Sequence, residues 1–185
     1  AQERRLQVTL LLLDWILGED DVTRWVGAVD TATRGSLDRT AADLSNAVAA
    51  LAARTRNEWV VMEGSTPDGA VIMVLARRPL RWIDFPLFDL HTEVRLTYDD
   101  AEASGLPTPG SLEVLRQKEA RISAAFGTRA ILVARVSTAG TRVLHYYSDS
   151  ADHQGRAVIE DAVRSAGGAV RSNPDQGWTQ VRQFS

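Results

Sequence analysis

The sequence predicts an α+β fold in which antiparallel strands carry helices on one face. Apolar residues recur at helical spacing in four segments, and β-branched and aromatic residues cluster in short runs between them. Turn residues join two pairs of these runs into hairpins. From about residue 89 to 184 the order is strand, helix, strand, strand, helix, strand, which is the ferredoxin-like βαββαβ arrangement.

The first 18 residues predict a buried amphipathic helix and not a membrane span. Their leucines recur every three or four residues, and the pattern stops at Gly18. The apolar run 8–17 is about half as long as a bilayer requires, and Asp14 interrupts it. A strand is predicted next, over residues 23–32, followed by a long helix with Ser36 as its N-cap.

Two hairpins define the rest of the chain. The turn STPDG at 65–69 joins the strands of the first hairpin, and Ala139 with Gly140 forms the turn of the second. Between them we expect a strand over 90–98 and a helix that begins at Pro109, after the N-cap Thr108. A short helix around 158–166 and a last strand over 178–184 complete the predicted elements.

The two hairpins have similar surroundings, which predicts an internal duplication. Each block runs strand, helix, hairpin, and each hairpin turn contains Ser-Thr followed by Gly. Residues 1–88 are predicted to form the N-terminal helix and a shortened βαββ copy. Residues 89–185 are predicted to form the complete ferredoxin-like unit, and the two parts to make one compact body.

Composition restricts the classes of function. The chain has 185 residues and a net charge of −3, with a pI of about 5.6, so no global positive field attracts nucleic acid. Cysteine is absent, which excludes disulfides, thiolate catalysis and cysteine-ligated zinc. The basic and aromatic stretch 77–85 is offset by Asp84 and Asp89. We therefore predict a cytoplasmic protein that binds neither nucleic acid nor membrane.

Several short motifs occur in one order along residues 58–185. They are Trp59 at the start of a hairpin, Gly-Leu-Pro at 105–107, the helical segment 115–119, Gly-x-Arg-x-Leu-x-Tyr-Tyr at 140–147 and Pro-Asp-x-x-Trp at 174–178. In this combination the chain resembles the bacterial family of domains of unknown function 695, which is related in architecture to the protein B that inhibits ribonuclease E. The resemblance implies the fold and a binding role, and it carries over no catalytic residue. Val143 and His145 depart from the aromatic residues that the family often has at these positions.

The segment VSTAGTRVLHYYSD, at 136–149, is the first candidate site. A two-residue turn would pair Ala134 with His145 and Leu132 with Tyr147, which places His145 and Tyr147 on one face. These two side chains either take part in acid–base chemistry or belong to a core strand. No nucleophile or carboxylate is tied to them by spacing, which favours the core strand, with Arg142 as a surface cation.

The strand at 90–98 is the second candidate. Asp89, His91, Glu93 and Arg95 alternate with apolar residues and therefore point to one face. Such a face is typical of a half-solvated sheet, and the alternative is a polar groove or a carboxylate–imidazole metal site. The three histidines of the chain lie far apart without HxH or HExxH spacing, so we predict no shared metal site and no cofactor.

One acidic residue departs from the helical pattern. Glu119 lies on the apolar stripe of its helix, where it either reaches solvent or pairs with Arg135 or Arg142.

The leading hypothesis is a non-catalytic domain that binds another protein through an open sheet face or a strand edge and regulates or neutralises it. No phosphate loop, nucleophile elbow or pair of carboxylates flanked by aromatic residues at a useful spacing is present, so no catalytic residue is predicted. The alternatives are a small-molecule hydrolase or ligand-binding enzyme with a polar site on the open sheet face, an immunity- or antitoxin-type inhibitor, and a homodimeric structural domain. The predicted binding residues are Asp89, His91, Glu93, Arg95, Arg142 and His145.

Overall fold

The computed structural model describes residues 2–32, 38–54 and 58–184. The chain divides into two compact units, Ala1–Arg56 and Asn57–Ser185, called unit 1 and unit 2. The predicted boundary between residues 88 and 89 falls inside unit 2, between two strands of one sheet. Within the described ranges, every helix is too short or too polar to traverse a lipid bilayer.

Unit 1 contains three helices, α1 (Gln2–Leu17), α2 (Glu19–Trp25) and α3 (Ala41–Arg54). The prediction that the first helix ends at Gly18 is confirmed. The prediction that this helix is buried is wrong, because none of its side chains is buried and its consecutive leucines point to more than one face. Among the described residues of unit 1, Val48 alone is buried.

The elements predicted after α1 need correction. Residues 23–32 do not form a strand, because α2 extends to Trp25 and the segment 26–32 has no regular structure. Three acids in the first turn of α2 complement the helix dipole and favour the helix there. Ser36 lies outside the described residues, and α3 begins later, with Thr40 and Asp43 in a reciprocal capping arrangement (Thr40 N–H to Asp43 carboxylate 2.7 Å).

Unit 2 is built on one antiparallel sheet of six strands in the order β1-β2-β4-β5-β3-β6. The α+β class is therefore confirmed. From β3 onward the elements follow the predicted order of strand, helix, strand, strand, helix, strand. The bounds are β1 Glu58–Ser65, β2 Val71–Arg78, β3 Leu90–Thr97, α4 Pro109–Phe126, β4 Ala130–Thr138, β5 Thr141–Ser148, α5 His153–Ser165 and β6 Ala169–Pro174.

The two faces of the sheet are covered differently. Helices α4 and α5 pack on the first face, over a core that contains Leu96, Leu144, Tyr146, Leu115, Ile122 and Val163. The second face is covered by the connector between β2 and β3 and by a C-terminal 3-10 helix, Thr179–Phe184, around Val133, Tyr147, Trp178, Val181 and Phe184.

The end of the chain differs from the prediction. The strand expected over 178–184 is the 3-10 helix, and the last strand is β6, which the sequence pattern did not indicate. Before β6, Gly168 lies so close to the carbonyl of Arg95 and to the side chains of Leu96 and Val163 that a Cβ would come within 3.1 Å of each. The alternation in β6 is weak because the strand has only six residues and is mostly polar.

The second hairpin has the predicted turn but not the full predicted register. Ala134 lies opposite His145, as expected from the turn at Ala139 and Gly140. A bulge between Leu132 and Ala134 then shifts the pairing, so Tyr147 lies opposite Ile131 and not opposite Leu132.

The first block lacks the strand that a βαββ copy requires at 23–32. The predicted first hairpin, β1 with β2, is present and extends the same sheet by pairing β2 with β4.

Candidate functional site

Two adjacent strands bring His91 and His145 into contact on the second face. In the pairing of β3 with β5, His91 lies opposite Tyr147 and Glu93 opposite His145. His91 Nε2 is 3.1 Å from His145 Nδ1, so one ring donates a hydrogen bond and the other accepts it. His91, Glu93 and His145 each offer a ligand atom within 4.8 Å of the others. His91 and His145 are 54 residues apart in the sequence, and the pairing of their strands brings the two rings into contact.

Burial keeps the two imidazoles neutral at pH 7. Desolvation, with a smaller effect of the neighbouring His91, lowers the pKa of His145 to about 4. Desolvation also lowers the pKa of His91, although the carboxylates of Glu93 and Asp175 oppose the shift. Phe184 contributes to the burial, with its ring edge-on to His145 at a centroid distance of 5.5 Å.

Protonation of the histidine pair is expected to destabilise the fold in mildly acidic solution. The pKa of His145 in the folded state is below its unfolded value of 6.5, so the unfolded state binds the proton more tightly. The contribution of His145 to the free energy of unfolding is fully present above pH 6.5 and is lost as the pH falls from 6.5 through about 4. Its full size is about 3 kcal/mol, measurable by urea unfolding across this pH range.

Two variants assign this pH dependence to the buried ring. His145→Gln removes the titrating group, and we expect the free energy of unfolding to change less between pH 6.5 and 4 than in the wild type. His153 is exposed, so His153→Ala should keep the wild-type dependence. An unchanged dependence in His145→Gln would contradict the assignment.

Asp175 fixes the segment that covers the histidines. Its carboxylate accepts hydrogen bonds from the Tyr147 hydroxyl (2.7 Å), the Thr179 amide and hydroxyl (2.9 and 2.7 Å) and the Gln180 amide (2.9 Å). Burial alone would raise the pKa of Asp175, but these hydrogen bonds outweigh it and lower the pKa to about 2. Trp178 stacks on Tyr147 at a centroid distance of 4.2 Å. The C-terminal 3-10 helix is thereby attached to the sheet.

Asp89 and Arg95, the other two binding residues predicted on this strand, are not part of the histidine cluster. Asp89 accepts hydrogen bonds from the backbone amide and the hydroxyl of Ser150, both at 2.8 Å. The hydrogen bond from the Ser150 amide is the main cause of the lowered pKa of Asp89. Arg95 is exposed. Of the predicted binding residues, the structure therefore brings together His91, Glu93 and His145. Asp89 instead holds the loop after β5 through its hydrogen bonds to Ser150.

Arg142 lies on the first face, away from His145. Its guanidinium donates to Glu119 through Nη1 at 2.9 Å and to Ser137 through Nε at 2.8 Å. Arg135 Nε donates to the other oxygen of Glu119 at 2.8 Å. Arg142 is buried, so the prediction that it is a surface cation is wrong, whereas the predicted pairing of Glu119 is confirmed with both arginines.

The first face also carries exposed apolar side chains beyond the edge of α4. Trp59, Val61 and Met73, which we call the β1 strip, are 40%, 63% and 39% exposed. The guanidinium of Arg135 lies 4.6 Å from the centre of the Trp59 ring. A cleft of about 290 Å³ opens between the strip and α4, lined by Val61, Met73, Leu75, Leu112, Arg116, Glu119, Arg135, Ser137 and Arg142.

Sequence reasoning missed Asp175 and the β1 strip. The segment EWVVMEG is apolar at four successive positions, which predicts a strand but does not indicate which face remains uncovered. Asp175 belongs to the motif Pro-Asp-x-x-Trp, whose spacing does not by itself indicate what the carboxylate contacts.

No protein-family model matches the chain, and no curated protein matches it.

Proposed function

We propose that unit 2 is a non-catalytic protein-binding domain whose binding surface is the β1 strip with the adjoining cleft. The observation that carries the proposal is the exposure of three large apolar side chains next to one another on one sheet face. Exposed apolar patches rimmed by polar groups mark interaction surfaces, whereas single exposed apolar residues are common.

The cleft indicates the chemistry of the partner. Its lining contains three guanidinium groups, of Arg116, Arg135 and Arg142, and one carboxylate, of Glu119. Arg135 and Arg142 share Glu119, and Arg116 pairs with Glu113 outside the lining, so one guanidinium charge of the cleft is uncompensated beside the β1 strip. We infer that the partner presents a segment in which an apolar side chain is next to a carboxylate.

The size of the cleft suits one or two side chains of a partner. Its volume of about 290 Å³ is at the lower end of the range of about 300–1,000 Å³ for small-molecule pockets. The proposal of protein binding rests on the exposed side chains of the β1 strip beside the cleft.

The edge of the sheet offers a second type of contact. β1 is at the end of the strand order, so one of its two backbone edges has no neighbouring strand among the described residues. Unpaired strand edges accept an added strand from a partner. A partner segment that pairs with β1 would place alternate side chains next to Trp59 and Val61.

We further propose that β3 to β6 form a ferredoxin-like unit, with β1 and β2 as the remnant of a duplicated copy. The strand order β4-β5-β3-β6 and the two helices on one face support this assignment. It agrees with the resemblance to the domain family 695 and to the ribonuclease E inhibitor. A regulatory role in the cytoplasm, without catalysis, belongs to the same proposal.

The test is affinity capture from the cells that produce the protein, with Val61→Glu compared with Val158→Glu. Val158 is an exposed valine on α5 (41%), away from the β1 strip, and serves as the matched control. We expect a partner that is recovered with the wild type and with Val158→Glu and is lost with Val61→Glu.

Recovery of the same proteins with Val61→Glu, or of none with the wild type, would contradict the proposal. Circular dichroism confirms that both variants fold. If the recovered partner is a second copy of the chain, light scattering should show a dimer that Val61→Glu converts to a monomer.

A further inference from the structure

We propose that His91, Glu93 and His145 form a binding site for a zinc ion. The site lies on the second face of the sheet, opposite the β1 strip, so its test is independent of the proposed protein-binding function. Its ligand atoms would be His91 Nε2, His145 Nδ1 and a carboxylate oxygen of Glu93.

The spacing of the two imidazole nitrogens is close to what zinc requires. At Zn–N distances of about 2.0–2.1 Å, two nitrogen ligands of a tetrahedral ion lie about 3.3 Å apart. His91 Nε2 and His145 Nδ1 are 3.1 Å apart. The two nitrogens point toward each other in the hydrogen bond, so on binding both rings would turn until their lone pairs converge on one ion.

The bound ion would replace the hydrogen bond between the rings. The hydrogen on the donor nitrogen moves to the other nitrogen of the same ring by tautomerisation, so no net proton is released. Each ring then offers an unprotonated nitrogen to the ion.

The set of donors distinguishes zinc from the common hard cations. Two imidazoles and one carboxylate suit Zn²⁺, whereas Mg²⁺ and Ca²⁺ prefer ligands that are all oxygen. Asp175 is close enough to act electrostatically on His91, and this second carboxylate adds to the charge that favours a divalent ion. Glu93 is only half-buried, which gives the ion a route from solvent and leaves a fourth position for water.

A purely structural histidine pair is the competing explanation. Buried polar groups are normally satisfied by hydrogen bonds, and the contact between the two rings already achieves this. Arg171 lies opposite Glu93 in the pairing of β3 with β6 and is a competing partner for its carboxylate. The two explanations predict different results when Zn²⁺ is added. A metal site requires the NMR signals of the His91 and His145 nitrogens to shift, whereas a purely structural pair requires them to stay unchanged.

The first experiment follows the imidazole nitrogens by NMR while Zn²⁺ is added to the chelator-treated wild type. The chain has three histidines and no cysteine, so the spectrum is simple and thiolate binding does not occur. We expect saturation at one ion per chain, with shifts for His91 and His145 and none for His153. Mg²⁺ at the same concentration should leave all three unchanged. Unchanged His91 and His145 signals would overturn the proposal without the need for any variant.

The second experiment measures Zn²⁺ affinity by calorimetry in variants. Glu93→Gln retains the shape of a half-buried side chain and removes its charge. Loss of a residue that only hydrogen-bonds to a metal ligand weakens binding by about tenfold or more, so we expect at least this loss when a proposed ligand is changed. His145→Gln should abolish saturable binding. His153→Ala is the matched control and should bind as the wild type does. Wild-type affinity in Glu93→Gln, or lost binding in His153→Ala, would overturn the three-ligand site.

Discussion

Glu119→Gln is expected to lower the free energy of unfolding by about 3–5 kcal/mol, the usual cost of breaking a buried ion pair. Glu119 is 6% exposed and joins Arg142 and Arg135 through separate carboxylate oxygens. The neutral amide would leave the buried guanidinium of Arg142 without a compensating charge. Urea unfolding at pH 7 measures the loss.

Glu113→Gln on the same helix is the control for this prediction. Its carboxylate is 61% exposed and lies 3.9 Å from Arg116, so its removal should cost less than about 1 kcal/mol. In the double variant Glu119→Met with Arg142→Met no buried charge of this pair remains, and part of the stability should return. A Glu119→Gln protein within about 1 kcal/mol of the wild type would contradict the account of this pair.

Asp175→Ala is expected to cost about 3 kcal/mol, because hydrogen bonds to charged groups contribute more than neutral ones and several are lost together. Four donors converge on this carboxylate, from Tyr147, Thr179 and Gln180. The substitution also frees the 3-10 helix that covers the histidines. We therefore expect hydrogen–deuterium exchange to increase at residues 179–184, with smaller changes in α4.

Asp161→Ala is the matched control, because Asp161 is 74% exposed and pairs with Arg164 within α5. Its effect should stay within about 0.5 kcal/mol. Tyr147→Phe removes one of the four donors and should cost about 1 kcal/mol. Equal stability of Asp175→Ala and Asp161→Ala would show that the carboxylate does not secure the C-terminal segment.

The sequence predicted the elements of unit 2 that local signals specify. Thr108 with Pro109, and Ala139 with Gly140, are short-range signals for a helix start and a hairpin turn, and both were predicted correctly. The prediction of a strand at 23–32 was wrong, because β-branched and aromatic residues also occur in α2, where acids in the first turn favour the helix.

The site depended on long-range pairing, which local patterns do not encode. His91 and His145 each lie on a predicted strand, but their contact follows from β3 pairing with β5, across α4 and β4. The uncovered position of the β1 strip likewise depends on where α4 and α5 pack. Alternation indicates the faces of a strand, whereas the order of strands decides which residues meet.

The central claim is that the β1 strip is the binding surface. Its most direct test is the affinity of the captured partner for Val61→Glu and for Val158→Glu. Val61→Glu places an unpaired charge within the apolar part of the proposed interface, which costs about 2 kcal/mol or more, so we predict at least about 30-fold weaker binding. Val158→Glu should bind within about twofold of the wild type, a difference below about 0.5 kcal/mol. Equal affinities for the two variants would contradict the claim.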